Sequence, residues 1–351
     1  MTGIEDVSFW ESLWRQTAGP LVPGVGGLVG WWILVGALLW DWAYGEMPPS
    51  IHPVVWMGKP IRWVKTFGLR NSRHPWAQFL IGTAASAVIP LFFAVGGALI
   101  MTCARDGGGG VFEIFMGAFL LKSSFAQRAL GEAGNRVGRL LDKAPTEGLD
   151  PARRALRALC SRDASTLNAG QLTQAAISSL AENLSDSVLA PLCFYLVAGI
   201  PGALFYRVVN TMDAVLGYRG SLEYLGKTPA RFDDLLNWIP ARVTCLCLIV
   251  AAPVSRWIPT LGVVGRCART TPSPNGGWPM AAMAGSLGVR LEKVGVYVLD
   301  GRVAGQVTVK PKPSADGALI QEAWALAVRA VAVFFGLLAC IVGTVMGYLA
   351  W

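Results

Sequence analysis

Charge is scarce in this chain. Asp, Glu, Lys and Arg make up 15% of its 351 residues, where a soluble globular domain carries about 25%. Histidine is scarcer still, with only His52 and His74. A histidine-built metal centre is therefore not expected, and any metal would rest on carboxylate oxygens. None of the seven cysteines forms a C-x-x-C pair, so they read as small buried hydrophobes and not as a disulfide frame or a zinc site. No basic segment precedes the first apolar run, so a signal peptide is not expected. No run interleaves Lys and Arg with aromatics, so a nucleic-acid partner is not expected either. No Ser or Cys is evidently paired with a His, which argues against covalent acyl transfer. No internal repeat is visible.

What is abundant points one way. Hydrophobic residues make up 53% of the chain, with 14 Trp, and the mean hydropathy is +0.47. Together these predict an all-α, polytopic integral membrane protein. The expectation is a single membrane-embedded domain over 1–351, with about four spanning helices near 24–42, 79–102, 107–124 and 328–350. Pro90 is a candidate kink in the second span, and Arg105–Gly110 reads as the turn after it. The net charge of +8 then suggests cytoplasmic loops beside anionic headgroups. Amphipathic cytoplasmic helices are expected within 122–170, the second starting at Asp150-Pro151. A small hairpin is expected in GVYVLDGRVAGQVTV. Gly343 and Gly347 suit close packing in the last span.

Polar segments fall at 44–75, 160–186, 207–242 and 266–290, and two interrupted apolar runs lie among them. Residues 187–206 are uncharged but contain Pro191, Gly199, Pro201 and Gly202; 243–262 contains Pro253 and Pro259. If 187–206 crossed the bilayer, the polar motifs on either side of it would face opposite compartments. A re-entrant hairpin turning at Gly199–Gly202 keeps them together, and such backbone is tolerated when buried in protein. The same reading applies to 243–262.

The polar motifs carry the chemistry. In SSLAENLSD, Glu182 and Asp186 are i,i+4, so an α-helix puts both carboxylates on one face beside Asn183. There they suit Mg²⁺, which takes one or two carboxylates plus substrate phosphates; a solvated helix end is the plain alternative. In NTMDAVLGYRG, Asn210 and Asp213 are i,i+3, and Arg219 follows where it could grip a phosphate or carboxylate. In ARFDDLLNWIPAR, Asp233 and Asn237 are i,i+4, flanked by Arg231 and Arg242. Asp233-Asp234 is a like-charge pair, disfavoured without balancing cations. Each motif alone could be a cap or a salt bridge. GYRGSLEYLGKT misses the phosphate-binding P-loop by one residue between its glycines, although Lys227 could still meet a phosphate. Ser273-Pro274-Asn275-Gly276-Gly277 is a turn-rich loop entering a helix of small residues, a place where backbone N–H groups can face an anion. His52 is a structural histidine or a phosphate or acid–base group.

Taken together, these words resemble the cobalamin-biosynthesis family CbiB/CobD, the adenosylcobinamide-phosphate synthases. The resemblance runs from Asp41 to about Leu291. It rests on HPVVWMGK (52–59), Ser161-Arg162-Asp163, SLAENLSD (179–186), APL (190–192), NTMDAVLGYR (210–219), ARFDDLLNWIPAR (230–242) and SPNGGWPMAAMAGSLGV (273–289). The chain departs from the pattern at Glu46, where the family has Asp, at Ser178, where it has Glu, and at Thr270–Thr271, where a His is usual. The resemblance implies a multi-pass protein of the bacterial inner membrane with its active site facing the cytoplasm. It implies ATP- and Mg²⁺-dependent amide formation between the free carboxylate of adenosylcobyric acid and (R)-1-amino-2-propanol or its O-phosphate. Under it, Glu182, Asp186 and Asp213 are the expected metal ligands. Asp233, Asp234 and Glu182 are the expected catalytic groups, with Asp233 or Asp234 orienting or deprotonating the amine. Arg219, Arg231, Arg242, Lys227, Asn210, Asn237, Ser273, Asn275, His52 and Lys59 are the expected binders of nucleotide or phosphate. Trp56, Trp238 and Trp278 are expected to pack the corrin face, and other enzymes of the pathway are possible partners. A corrinoid permease, a sensory protein of the AmpE type and a membrane phosphotransferase are the competing readings.

Overall fold

The computed structural model describes residues 27–71, 74–160, 163–302 and 317–349. Ser161, Arg162, the start of the first expected span and the second half of the expected hairpin lie outside the described residues.

The described chain is helical almost throughout. In order it forms α1 (Gly27–Tyr44), α2 (Pro53–Asn71), α3 (Pro75–Lys122), α4 (Gln127–Asp142), α5 (Ala144–Glu147), α6 (Asp150–Leu156) and α7 (Ala169–Leu184). A π-helical turn, Ser185–Leu189, leads into α8 (Ala190–Leu216), followed by α9 (Lys227–Leu236), α10 (Trp238–Ala251), α11 (Trp257–Cys267) and α12 (Gly277–Leu287). Strands β1 (Arg290–Lys293) and β2 (Tyr297–Asp300) precede α13 (Gly317–Leu349). Among the described residues four stretches are long and apolar enough to cross a membrane: Gly27–Tyr44, one within Pro75–Asp142, one within Ala169–Leu216, and Gly317–Val342. With two four-residue strands as the only sheet among the described residues, the chain is an all-α polytopic membrane protein.

The contacts divide the chain into two compact units. The first holds residues 1–126 and 190–236, and two of its helices double back. α3 has 48 residues; unbroken it would extend about 72 Å, more than twice the hydrocarbon thickness of a bilayer. It leaves helical geometry at Gly109, with φ 70° and ψ 178°, a conformation that glycine reaches without strain. Across this break Arg105 Nη2 donates to Glu113 Oε1 at 2.7 Å, although eight helical residues would rise about 12 Å. Pro90 lies inside α3 without taking the chain out of helical angles. α8 breaks at Ala198 and Gly199, the latter at φ 59°. Phe194 and Tyr206 then stack with centroids 5.0 Å apart, where an unbroken helix would separate them by about 18 Å. Tyr195 Oη donates to Gly30 O at 2.7 Å, tying the near arm to the start of α1. The loop after α8 is held by bare backbone: a Cβ at Gly226 would meet Leu216 O, and one at Gly82 would meet Leu225 O. That close approach explains the glycine of the P-loop-like word.

The second unit holds 127–189 and 237–351. α4 carries glycines on its packed side: a Cβ at Gly131 would run into Trp324 of α13, and one at Gly134 into Leu180 of α7. Asp150 pairs with Arg153 at 2.9 Å and does not cap α6. α7 starts in a capping box: Asn168 Oδ1 accepts from Gln171 N at 2.9 Å, and Gln171 Oε1 accepts from Asn168 N at 3.0 Å, which satisfies two orphan donors. The expected hairpin begins earlier than its apolar run suggested, pairing Arg290 with Asp300 and Lys293 with Tyr297 around Gly295 at φ 72°. The broken run 243–262 resolves into α10, a short 3-10 turn (Val254–Arg256) and α11, parted at Pro253 as proline demands.

Candidate functional site

Each unit gathers its own share of the polar residues. In the first unit, α8 and α9 bring four carboxylate and amide groups together. Asn210 Nδ2 donates to Asp233 Oδ1 at 3.2 Å, and Asp233 is buried. Asp213 and Asp234 are near enough to repel each other, while the Arg231 charge attracts Asp234. The Asp213 carboxylate folds over Gly217, where a Cβ would collide with its Oδ1. Arg219, Lys227 and Arg231 are exposed, leaving their charges available to a ligand.

A second cluster of the same unit was not expected from the sequence. Lys122 is completely buried, with Nζ 3.1 Å from Asp41 Oδ1 and 2.9 Å from Glu46 Oε1. It also donates to Phe125 O at 3.2 Å. The other Glu46 oxygen lies 2.9 Å from His52 Nε2, and His52 Nδ1 accepts from Val54 N at 3.2 Å. The backbone bond fixes the tautomer, so Nε2 carries the proton and donates to Glu46. Both ring nitrogens of His52 are thus engaged, and it caps the start of α2. Burial works against the charged form of Glu46, but hydrogen bonds from His52 and Lys122 outweigh it and hold the carboxyl below its ordinary value of 4.5. The signal that could have revealed this cluster is three charges, Asp41, Glu46 and Lys122, at the ends of apolar runs. Lys59 is exposed on α2.

In the second unit the S-P-N loop meets α7 and α10. Arg242 is held between two indoles, its guanidinium 4.5 Å from the Trp238 ring and 4.6 Å from the Trp278 ring. Its Nη1 donates to Asn275 Oδ1 at 2.9 Å and to Trp238 O at 2.7 Å. One face of each indole is therefore taken by Arg242 and not free for a corrin. Trp56 is exposed and donates its indole N–H to Ser50 O at 3.1 Å. Glu182 reaches the same loop: a Cβ at Gly276 would lie 2.9 Å from Glu182 Oε1. Ser273 Oγ accepts from Asn275 N at 3.2 Å and from Gly276 N at 3.3 Å, so these two amides turn inward instead of facing an anion. The buried Trp278 indole N–H makes no hydrogen bond among the described residues. Asn183 Nδ2 donates to Ser179 O at 2.9 Å, and its Oδ1 accepts from Ser187 Oγ at 3.4 Å. Asn237 is buried at the entry to α10.

Asp186 lies in the π-helical turn Ser185–Leu189. Single π turns inside helices recur at functional sites. Among the described residues no three His, Cys, Asp or Glu side chains gather as an all-protein metal cage. Mg²⁺ rarely asks for one, since it keeps waters and takes one or two carboxylates beside substrate phosphates. The repelling pair Asp213 and Asp234, with exposed Arg231 acting on Asp234, fits that chemistry.

The fold and these clusters define a polytopic helical membrane protein with carboxylates and arginines gathered at the ends of broken helices. The family described as CobD/Cbib protein matches residues 34–327, and the chain belongs to that family. The cobalamin biosynthesis protein CobD of Dehalococcoides mccartyi is 40% identical over 275 residues, covering 76% of this chain and 85% of that protein. Probable cobalamin biosynthesis proteins CobD of Methanothermobacter thermautotrophicus, 40% identical over 270 residues, and Pyrococcus furiosus, 41% identical over 270 residues, each cover 76% of this chain and 86% of the relative. No solved structure matches.

Proposed function

We propose that this protein forms an amide between the free carboxylate of adenosylcobyric acid and (R)-1-amino-2-propanol or its O-phosphate, driven by ATP. The observation that carries the reading is the Asp213–Asp234 pair with Asp233, Asn210 and Arg231; Arg219 and Lys227 are exposed in the same unit. Making an amide from a carboxylate requires an activated acyl group, and phosphorylation of the carboxylate by ATP supplies it. The amine nitrogen then attacks the acyl carbon, losing a proton as phosphate departs.

Each part of that chemistry has residues suited to it. Asp213 in the first unit, and Glu182 and Asp186 in the second, are each candidate ligands for Mg²⁺, which would neutralise the nucleotide phosphates when bound. Arg219, Arg231, Lys227 and Arg242 suit phosphate oxygens. Asp233 or Asp234 suits orienting the ammonium group or accepting its proton. A membrane-embedded framework excludes water from an acyl phosphate that water would otherwise consume. The family membership and the cobalamin-biosynthesis names of the relatives support the corrinoid substrate. We place the protein in the bacterial inner membrane with this site facing the cytoplasm. Alanine at Glu182 or at Asp213 is expected to abolish product while the protein stays folded in detergent. Full activity in both variants would sink the metal assignment.

A further inference from the structure

α2 lies between the end of α1 and the start of α3, two candidate membrane crossings, so its ends are tethered to the bilayer at one face. It is amphipathic in three stripes. Met57, Ile61, Val64 and Gly68 are buried against the first unit, at the spacing of one helix face. Beside them runs an aromatic stripe: Trp56, Trp63 and Phe67 are 42%, 62% and 39% exposed, and the Trp63 and Phe67 rings stack at 5.0 Å. Beyond that runs a polar stripe of Lys59, Arg62, Thr66 and Arg70, all exposed.

Aromatics also mark the end of each flanking crossing that adjoins α2. Trp42 and Tyr44 at the end of α1 are 77% and 81% exposed, and Trp76 at the start of α3 is 74% exposed. This is the belt that Trp and Tyr form at the headgroup level. No Asp or Glu occurs between Glu46 and Asp106, so nothing acidic along this stretch of chain offsets the bases. A soluble protein partner would have to meet exposed indoles already set at bilayer depth. An anionic lipid surface matches the aromatic stripe with acyl chains and the basic stripe with phosphates at once.

We propose that α2 is an in-plane interfacial helix that binds anionic phospholipid headgroups through Arg62, Arg70 and Lys59, with Trp56, Trp63 and Phe67 sunk at the acyl boundary. The inference does not depend on the reaction assigned above. Each base near the surface contributes about 1 kcal/mol, roughly five-fold in association.

The test uses the full chain in vesicles containing brominated phosphatidylglycerol or brominated phosphatidylcholine, read as quenching of tryptophan fluorescence. The wild type should favour phosphatidylglycerol. The double variant Arg62→Gln, Arg70→Gln should lower that preference by about ten-fold or more. Trp63→Phe should reduce the quenched fraction of the emission. Because both arginines are exposed, circular dichroism and size-exclusion elution should be unchanged. Molar salt, which shrinks the screening length to about 3 Å, should erase the preference in the wild type without any substitution. Equal quenching by the two lipids in the wild type, or a preference that survives both the double variant and high salt, would overturn the proposal. So would a Trp63→Phe variant quenched as fully as the wild type.

Discussion

Gly276 leaves room for Glu182: a methyl group at position 276 would sit 2.9 Å from the Glu182 carboxylate. The atom in the way is the far end of a flexible side chain, so Gly276→Ala should move the carboxylate without disturbing the helices. Misplacing a reacting group by about 1 Å can cost a hundred-fold. Gly276→Ala should therefore lower kcat by ten- to a hundred-fold with an unchanged melting temperature in detergent. A normal rate would show that Glu182 has no fixed task there.

Arg242 between Trp238 and Trp278 is a test of geometry over charge. Lysine keeps the charge but lacks the flat guanidinium that both indoles stack on. Arg242→Lys should thus lose most of the effect that Arg242→Ala loses, about ten-fold or more in KM for the phosphate-bearing substrate. Rescue by lysine would reduce Arg242 to a point charge.

The buried ion cluster should report on stability instead of rate. Removing Lys122 leaves Asp41 buried beside Glu46 without their shared cation, and breaking a buried pair costs about 3 kcal/mol or more. Lys122→Met should melt well below the wild type in the same detergent, and an unchanged melting temperature would contradict the buried pairing. The pH dependence follows from Glu46, whose folded value is depressed. Its contribution is present above its ordinary value of 4.5 and fades as pH falls through the lower folded value. Glu46→Gln should flatten that acid limb of the melting curve, and an identical limb in the variant would assign the acid loss elsewhere.

The doubled-back arms of α8 make a topological prediction. If 187–206 enters the bilayer and returns, cysteines placed at Asn183 and at Arg219 should react with an impermeant reagent from the same face of sealed vesicles. Labelling from opposite faces would refute re-entry.

Much of this architecture is legible in the sequence because the bilayer simplifies the code. Uncharged runs mark apolar helices, and Gly199 beside Pro201 marks the reversal, since glycine alone reaches the required angles cheaply. Asn210 and Asp233 both fall in motifs the sequence singles out, but their meeting follows from the fold. Other features depend on long-range packing that no local pattern carries. The π-helical turn that holds Asp186 has no sequence signature. Lys122 reads as the polar end of a span, and only the return of α3 at Gly109 lets it meet Asp41 and Glu46. The Ser273 loop resembles an anion nest until its hydroxyl is seen to take the two amides itself.

The central claim is amide synthesis, and one incubation tests it most directly. Purified protein is mixed with adenosylcobyric acid, ATP, Mg²⁺ and aminopropanol phosphate, with free aminopropanol in a parallel sample, and the corrinoids are analysed by mass spectrometry. The account predicts an ATP-dependent product whose mass is that of the corrinoid plus the amine less one water. Corrinoid carried across reconstituted vesicles with no such product would contradict the account and mark the protein as a permease.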